Sequence, residues 1–416
     1  MVCILGCKTE EIAKMIWYRV QIGAYAIKKS AEKVSVDLIE KGFKTSITKE
    51  GMLYKVRIGS FQDKKKAEKL LARVRKYKKY EKSKILEWND GKDIPIVNVG
   101  ELVPDISDAI NDGKHSDYHP KINFVAIWHT ETHESMYGDA QVFIEYAENG
   151  TDILHAVLVD TGMDGCDTIK KLKKLGIKTL DAIVISHAHG DHYGYLSEIL
   201  SQFKVLHLYL PGIAGLKKYQ PSFAKAIQRQ EAKAKKLGIP VRYLTTNDTF
   251  DVGHIHCKCL YQVPADKLKN RDNHLFVNDQ SIATMFTLDG VGRVLLTGDL
   301  SNPGNEVVMR VFKVNFVAFW ADIAKCGWHG DGGAMLETWA KFVGAICWYW
   351  NYHHAMKKGG RQNTLKKLLA AGVKQDHVYR NYEDGDITFS YCDGWWTVTK
   401  SKNKNYSYKF KSRFAA

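Results

Sequence analysis

The sequence has no apolar run approaching the roughly 20 residues that a helix needs to cross a bilayer, so no integral membrane segment is read from it. Proline is scarce, at eight in 416 residues, and no low-complexity stretch interrupts the chain. Disorder is therefore not the expectation. The eight cysteines are scattered (Cys3, Cys7, Cys166, Cys257, Cys259, Cys326, Cys347, Cys392) and none are spaced as CxxC. That pattern suits reduced thiols better than a disulfide framework. The opening residues show a short apolar patch, Val2–Leu5, then Lys8, Glu10 and Glu11. They lack the order of basic leader, long apolar stretch and small-residue cleavage site, so no secretory signal is read and synthesis as a cytoplasmic protein is expected.

What is present points to a folded, multidomain protein. With 45% hydrophobic and 11% aromatic residues the chain can bury a sizeable core, and its length calls for two or three domains. The net charge of +15 is uneven: most of it precedes residue 95, and the stretch Lys400–Arg413 adds more. Such a balance suits a polyanionic partner, whether nucleic acid, anionic wall polymer or a membrane surface. For the run around Lys64–Lys84, a solvated lysine-rich helix face explains the charge equally well.

An internal repeat dominates the first part of the chain. Tyr18-Arg19-Val20-Gln21-Ile22-Gly23-Ala24-Tyr25 recurs 36 residues later as Tyr54-Lys55-Val56-Arg57-Ile58-Gly59-Ser60-Phe61. Each copy alternates apolar and polar residues, as a strand does, and breaks at a glycine. Each is followed by a segment with helical apolar spacing: Ala31, Val34, Leu38, Ile39, then Ala67, Leu70, Leu71, Val74. Lys41-Gly42-Phe43 ends the first helix and opens another strand. Two such halves can close one small sheet with helices on one face. Residues from about 16 to 87 resemble a SPOR domain, the sporulation-related repeat, through this doubled glycine-interrupted strand. The resemblance implies binding of peptidoglycan glycan strands on a sheet face, and hence contact with the cell wall in a bacterial or phage setting. Pro95, Pro104, Pro120 and several Asp and Gly mark residues 91–120 as a linker.

The stretch that carries chemistry is Asp181-Ala-Ile-Val-Ile-Ser-His187-Ala-His189-Gly-Asp191-His192. Ala182–Ile185 read as a buried strand, and four metal-type side chains follow it at once, where functional groups are exposed yet held. Imidazole nitrogens and carboxylate oxygens bind zinc at roughly 2.0–2.2 Å. Spacing them at i, i+2, i+4 and i+5 supplies more ligands than one tetrahedral ion uses, so two adjacent ions are the economical reading.

This HxHxDH pattern resembles the signature of the metallo-β-lactamase superfamily. That resemblance implies an αββα sandwich of the α/β class over residues 121–400, preceded by the small α+β SPOR-like domain at 1–90 and followed by a basic tail at 401–416. It also implies roles. Val157-Leu158-Val159-Asp160-Thr161-Gly162 looks like the strand whose Asp160 orients the ligand loop from behind. Val294-Leu295-Leu296-Thr297-Gly298-Asp299 ends in the carboxylate that would bridge two metals. Lys325-Cys326-Gly327-Trp328-His329-Gly330 supplies His329 for the second ion. Within the superfamily, the order of Gly138-Asp139-Ala140, the His/Asp cluster, Asn278-Asp279-Gln280-Ser281, Leu296-Thr297-Gly298-Asp299 and Trp328-His329-Gly330 resembles the hydrolase domain of ComEC-type competence proteins. Leu368–Val373 and Glu383–Thr388 are similar to that group's closing helix and strands.

Two departures stand out. Trp328 occupies the place of the first of two histidines usual in that group. The third ligand of the first ion is also unassigned: His207, His254 and His256 fall in the interval where the wider superfamily has one, and His353 and His354 are further candidates. The reading is a metal-dependent hydrolase holding two zinc ions, with manganese or iron also suiting the carboxylate content. Asp191 and Asp299 would hold the nucleophile and shuttle its proton. In true β-lactamases a cysteine or histidine commonly stands at the Asp299 position, so the resemblance favours a phosphodiester or related ester in a wall polymer or nucleic acid over a lactam. The alternative is a peptidoglycan-binding protein whose hydrolase domain is weakened or inactive.

Overall fold

The computed structural model describes residues 17–25, parts of 31–43, 45–50, 53–61, 64–88, 119–129, 138–268, 273–313, 316–351 and 358–415. Most of the expected linker, Cys3 and Cys7, and the candidates His353 and His354 lie outside the described residues. The chain divides into two compact units, Met1–Ser107 and Asp108–Ala416.

The first unit is built on the repeat. Its antiparallel sheet runs in the order Thr45–Glu50, Leu53–Phe61, Trp17–Tyr25, Lys84–Trp88, so that the two repeat copies form the central pair. Val20 faces Ile58 across that pair. Alternation sends Val20, Ile22, Val56 and Ile58 to one face, where they pack with Ala31, Leu38, Phe43, Val74 and Tyr80. Helix Lys64–Arg75 contributes Ala67 and Val74 to the interior and leaves Lys64, Lys65, Lys66 and Lys69 exposed. The lysine run is thus the solvated face of an amphipathic helix.

The second unit is an αββα sandwich. In the nine-stranded sheet the order is Val241–Leu244, Leu208–Pro211, Ala182–Val184, Ile153–Val159, Gln141–Tyr146, Ile122–Ala126, Ile387–Cys392, Trp395–Lys400, Asn403–Lys411. The first four are parallel and the rest antiparallel. The seven-stranded sheet runs Thr249–Val252, Ile255–Gln262, Ile282–Leu288, Gly292–Leu296, Ile323–Lys325, Cys347–Trp350, Val378–Arg380. Helices connect the parallel strands of both sheets, as crossover geometry requires. The core lies between the sheets and is aromatic at its centre. Phe143 stacks on Phe124 of its own sheet at 4.6 Å and on Phe286 of the other at 4.4 Å, contacts that contribute about 1 kcal/mol each beyond area burial.

Residues 403–411, read from sequence as part of a basic tail, instead pair with Trp395–Lys400 as the edge strand. Tyr406, Tyr408 and Phe410 turn toward the core while the intervening polar and basic residues face out. Period-2 alternation of Tyr406, Tyr408 and Phe410 with polar residues was present there, but the charge of Lys404, Lys409 and Lys411 hid it. No helix among the described residues is long and apolar enough to cross a membrane.

Candidate metal centre

Parallel strands end on the same edge of a sheet, and that edge collects the site. Strand Ile153–Val159 ends at Asp160, whose φ of 57° turns its carboxylate under the neighbouring strand end. Asp160 Oδ1 accepts the Ser186 N–H at 2.7 Å, and Oδ2 accepts the Ser186 hydroxyl at 2.8 Å. The Oδ2 atom also lies 2.8 Å from His192 Nδ1. Asp160 therefore holds both ends of the loop that carries His187, His189, Asp191 and His192. Asp191 and His192 themselves sit on a one-turn helix, Gly190–Tyr193, rather than on irregular loop.

The ligand-type atoms fall into two pockets. In the first, His187 Nδ1 faces Ser186 Oγ at 3.1 Å, and His187 Nε2 lies 3.0 Å from His189 Nδ1. Two nitrogens on one tetrahedral ion would be roughly 3.3 Å apart. Burial first, and then the neighbouring histidines, keep His187 well below the ordinary imidazole range; burial and His274 lower His189 to about 4. Both rings are neutral at pH 7, the state a metal needs.

In the second pocket, His192 Nε2 is 3.3 Å from Asp299 Oδ2, and His329 Nε2 is 3.2 Å from the same oxygen and 2.9 Å from Asp191 Oδ2. Burial would lower both imidazoles, yet Asp299, with Asp160 for His192 and Asp139 for His329, raises them well above the usual range. Burial would likewise raise Asp299 and Asp191, and the cationic neighbours instead hold them below it. Two imidazoles and two carboxylates thus converge, in a nearly water-free space, on positions where a divalent cation would satisfy all four.

Asp139 also comes within 4.8 Å of His192, Asp299 and His329, but it stands on the far side of both rings. It lies 3.3 Å from His329 Nδ1 and 3.8 Å from His192 Nδ1, whereas the atoms that face Asp299 are Nε2. Asp139 therefore matches Asp160: each carboxylate grips an Nδ1 and aims Nε2 at the cation position. Lys325 pairs with Asp139, donates to the Gly298 carbonyl at 2.8 Å and approaches Asp299 Oδ1 at 3.5 Å. Burial raises the Asp139 carboxyl, but Lys325 and His329 outweigh it and hold the group at about 2. Gly138 is required beside it, because a Cβ there would lie 1.9 Å from the Asp191 carbonyl oxygen, and its φ is +118°.

Residues 154–260 match the model of the metallo-beta-lactamase superfamily, and residues 17–83 that of the SPOR domain. The second unit carries a metallo-beta-lactamase domain. The chain is 28% identical over 223 residues to ComE operon protein 3 of Bacillus subtilis (strain 168), which supports placing it in the ComEC-like group. The match takes in 52% of this chain and 25% of that protein, so the chain spans about a quarter of that relative. Among solved structures, the peptidoglycan binding domain of the B. subtilis cell wall lytic enzyme CwlC is 28% identical, covering 20% of this chain and 99% of that one with a TM-score of 0.17. A diphosphatase from the PhnP family is 11% identical, covering 66% of this chain and all (100%) of that one with a TM-score of 0.36.

Within the metallo-beta-lactamase domain, the Trp328 departure has a geometric answer. Trp328 and His329 take successive positive φ values of 45° and 51°. The turn they make sends His329 inward to Asp191 and Asp299 and leaves the half-buried Trp328 near His274, with ring centroids 6.4 Å apart. Of the histidines considered for the first ion, His254 pairs with Glu145 at 2.7 Å and His256 with Asp251 at 2.5 Å. The His207 ring lies beside Tyr209. No contact links any of the three to the cluster.

Behind the site, His129 has no hydrogen-bond partner at either ring nitrogen among the described residues. Burial lowers it to about 4. Its folded value thus lies below the unfolded value of about 6.5. The stability it contributes is complete above pH 6.5 and is lost as pH falls toward 4, to a total of about 3 kcal/mol. Denaturant unfolding of wild type and His129→Leu at pH 7 and pH 4.5 checks this: the wild type should lose more stability on acidification than the variant. Equal losses would contradict it.

Proposed function

We propose that this chain is a dinuclear metal-dependent hydrolase of phosphodiesters or related esters, brought to cell-wall glycan by its SPOR domain. The observation that carries the proposal is the sharing of Asp299 Oδ2 by His192 Nε2 and His329 Nε2, at 3.3 and 3.2 Å, beside the neutral His187–His189 pair. When bound, two divalent cations lower the proton affinity of a water molecule and offset charge growing on a phosphoryl oxygen.

The protein's own groups do the rest. Asp160 and Asp139 hold the two Nδ1 atoms, so the rings need no reorientation during reaction. Asp191 has 16% of its side chain exposed against 2% for Asp299. It is therefore the carboxylate that can take a proton from the attacking water and pass it to solvent. The carboxylate at Asp299 and the net positive charge favour an anionic phosphodiester over a lactam. Zinc suits the imidazole ligands, and manganese or iron suits the two carboxylates. A teichoic-acid type of wall polymer would satisfy both the phosphodiester preference and the glycan-binding domain, with nucleic acid as the competing substrate.

The test uses the full chain loaded with zinc or manganese. Hydrolysis of bis-p-nitrophenyl phosphate, together with co-sedimentation on purified peptidoglycan but not on DNA-cellulose, is the expected result. Sedimentation without hydrolysis under either metal would leave a wall-binding protein with an inactive hydrolase domain.

A further inference from the structure

We infer that a basic groove on the outer face of the nine-stranded sheet holds a second phosphate group of the polymer being cut. The inference rests on the phosphodiester reading above. The groove has a volume of about 240 Å³, and its polar lining is Lys171, Lys174, Lys400, Thr388, Thr399 and Ser401, with Asp386 among them. Strand alternation makes it. Phe124, Ala126, Ile387, Phe389 and Val398 point into the core, so Val125, Thr388 and Thr399 point out of the opposite face. Helix Thr168–Lys174 lies alongside, and its i, i+3 spacing turns Lys171 and Lys174 to the same side. Sheet and helix thus enclose the groove between them.

The charges of the groove are held in place. Lys171 Nζ pairs with Asp386 Oδ2 at 2.6 Å, and Asp386 Oδ1 accepts the Trp128 N–H at 2.9 Å. Lys400 Nζ pairs with Asp384 Oδ1 at 2.8 Å. An ammonium group has three donors, and each of these lysines commits one to its carboxylate, so donors remain for an anion. Lys174 is exposed and pairs with no carboxylate among the described residues. Ser401 Oγ accepts the Asp386 N–H at 2.8 Å, which leaves its own hydrogen to donate. Ammonium groups and hydroxyls are the donors that phosphate oxygens take.

The groove shares its sheet edge with the metal centre. Lys400 faces Ile387, Ile387 faces Ala126, Ala126 faces Gln141, and Gln141 faces Val159, the residue before Asp160. Four strand spacings of about 4.8 Å put the Lys400 backbone roughly 19 Å from Val159, a span for a polymer of a few units. Ile127 joins the two places. It lines the groove, and its N–H donates to the carbonyl of Ala140, next to Asp139, at 3.0 Å. Among the described residues, the lining carries no aromatic ring on which a base could stack. The volume is also below the roughly 300–1,000 Å³ of sites for drug-sized ligands. Both features favour a polyol phosphate unit over a nucleotide.

Hydrolysis of poly(glycerol phosphate) by the metal-loaded full chain tests this, with wild type, Lys174→Glu, Thr399→Glu and Lys236→Glu compared. Lys174 and Thr399 are exposed at the groove, so a glutamate at either repels phosphate without entering the core. Lys236→Glu makes the same charge change at the exposed end of helix Pro221–Lys236, before the parallel strand Val241–Leu244 and hence at the opposite sheet edge. Both groove variants should raise KM about tenfold with kcat within about twofold, as loss of a contact common to ground and transition states does. Lys236→Glu should leave KM within about twofold of wild type. Equal KM in all four chains would overturn the inference, and so would a fall in kcat without a rise in KM. A larger rise in KM for oligothymidylate than for poly(glycerol phosphate) would give the groove to nucleic acid and contradict the polyol assignment. If glycerol 3-phosphate alters wild-type turnover but not that of Lys174→Glu, with polymer KM equal in both, the groove takes a free phosphate ester and the inference fails. A wild type that hydrolyses nothing would remove the functional reading instead. Calorimetric binding of the polymer would then decide the groove: weaker binding by Lys174→Glu than by Lys236→Glu upholds it, and equal binding overturns it.

Discussion

Asp299→Asn is expected to lose phosphodiester hydrolysis by on the order of 10³-fold and to bind metal weakly, with little change in fold. The amide has the volume of the carboxyl group, so the backbone bond from the Asp299 N–H to Ser281 Oγ, at 3.0 Å, survives. What disappears is the charge. Asp299 Oδ2 is the oxygen that both His192 Nε2 and His329 Nε2 face, and its loss removes the group set between the two cation positions. Asn also presents N–H donors where a cation needs a lone pair. Activity on bis-p-nitrophenyl phosphate, measured at saturating metal, checks the expectation. A variant within about tenfold of wild type would mean that Asp299 is not the shared carboxylate.

Lys325→Met is expected to destabilise the second unit by about 3–5 kcal/mol, on the order of 10 °C in its unfolding midpoint. Lys325 and Asp139 are almost wholly buried, at 1% and 0% side-chain exposure. Their mutual attraction offsets two large desolvation costs, and removing the lysine leaves the Asp139 charge buried with only the His329 and His192 rings near it. Asp139 is held near 2 chiefly by Lys325 against the effect of burial. Without the lysine its carboxyl titrates upward, and its grip on His329 Nδ1 weakens. The double variant Lys325→Met/Asp139→Asn should recover part of the lost stability, because no uncompensated charge remains. It should not recover metal affinity, since His329 would lack the carboxylate that aims it. A single variant as stable as wild type in calorimetry would contradict the buried-pair account.

Those two carboxylate contacts also mark the boundary of what the sequence made legible. The candidate cluster stood out because His187, His189, Asp191 and His192 fall within six residues and follow a buried strand. Asp299 was readable for the same reason, as the end of an apolar run. The small sheet of the first unit followed from a repeat whose two copies pair directly, with Val20 opposite Ile58. Asp139 and Lys325 stood in plain sight in Gly138-Asp139-Ala140 and Lys325-Cys326-Gly327, yet nothing local assigned them a task. Their meaning is a contact across 186 residues of chain, which periodicity does not encode. His274, whose ring stacks on that of His189, lies in the same interval as His207, His254 and His256, and no local pattern singled it out. In residues 403–411 the charge of Lys404, Lys409 and Lys411 masks the alternation of Tyr406, Tyr408 and Phe410 that makes them a strand.

The measurement that tests the central claim most directly is elemental analysis of the full chain after metal loading and dialysis, for wild type and His189→Ala together. The account predicts about two divalent ions per wild-type chain and the loss of one from His189→Ala, whose missing Nδ1 empties the first pocket while Asp191, His192, Asp299 and His329 keep the second. A wild-type chain that retains no metal would contradict it.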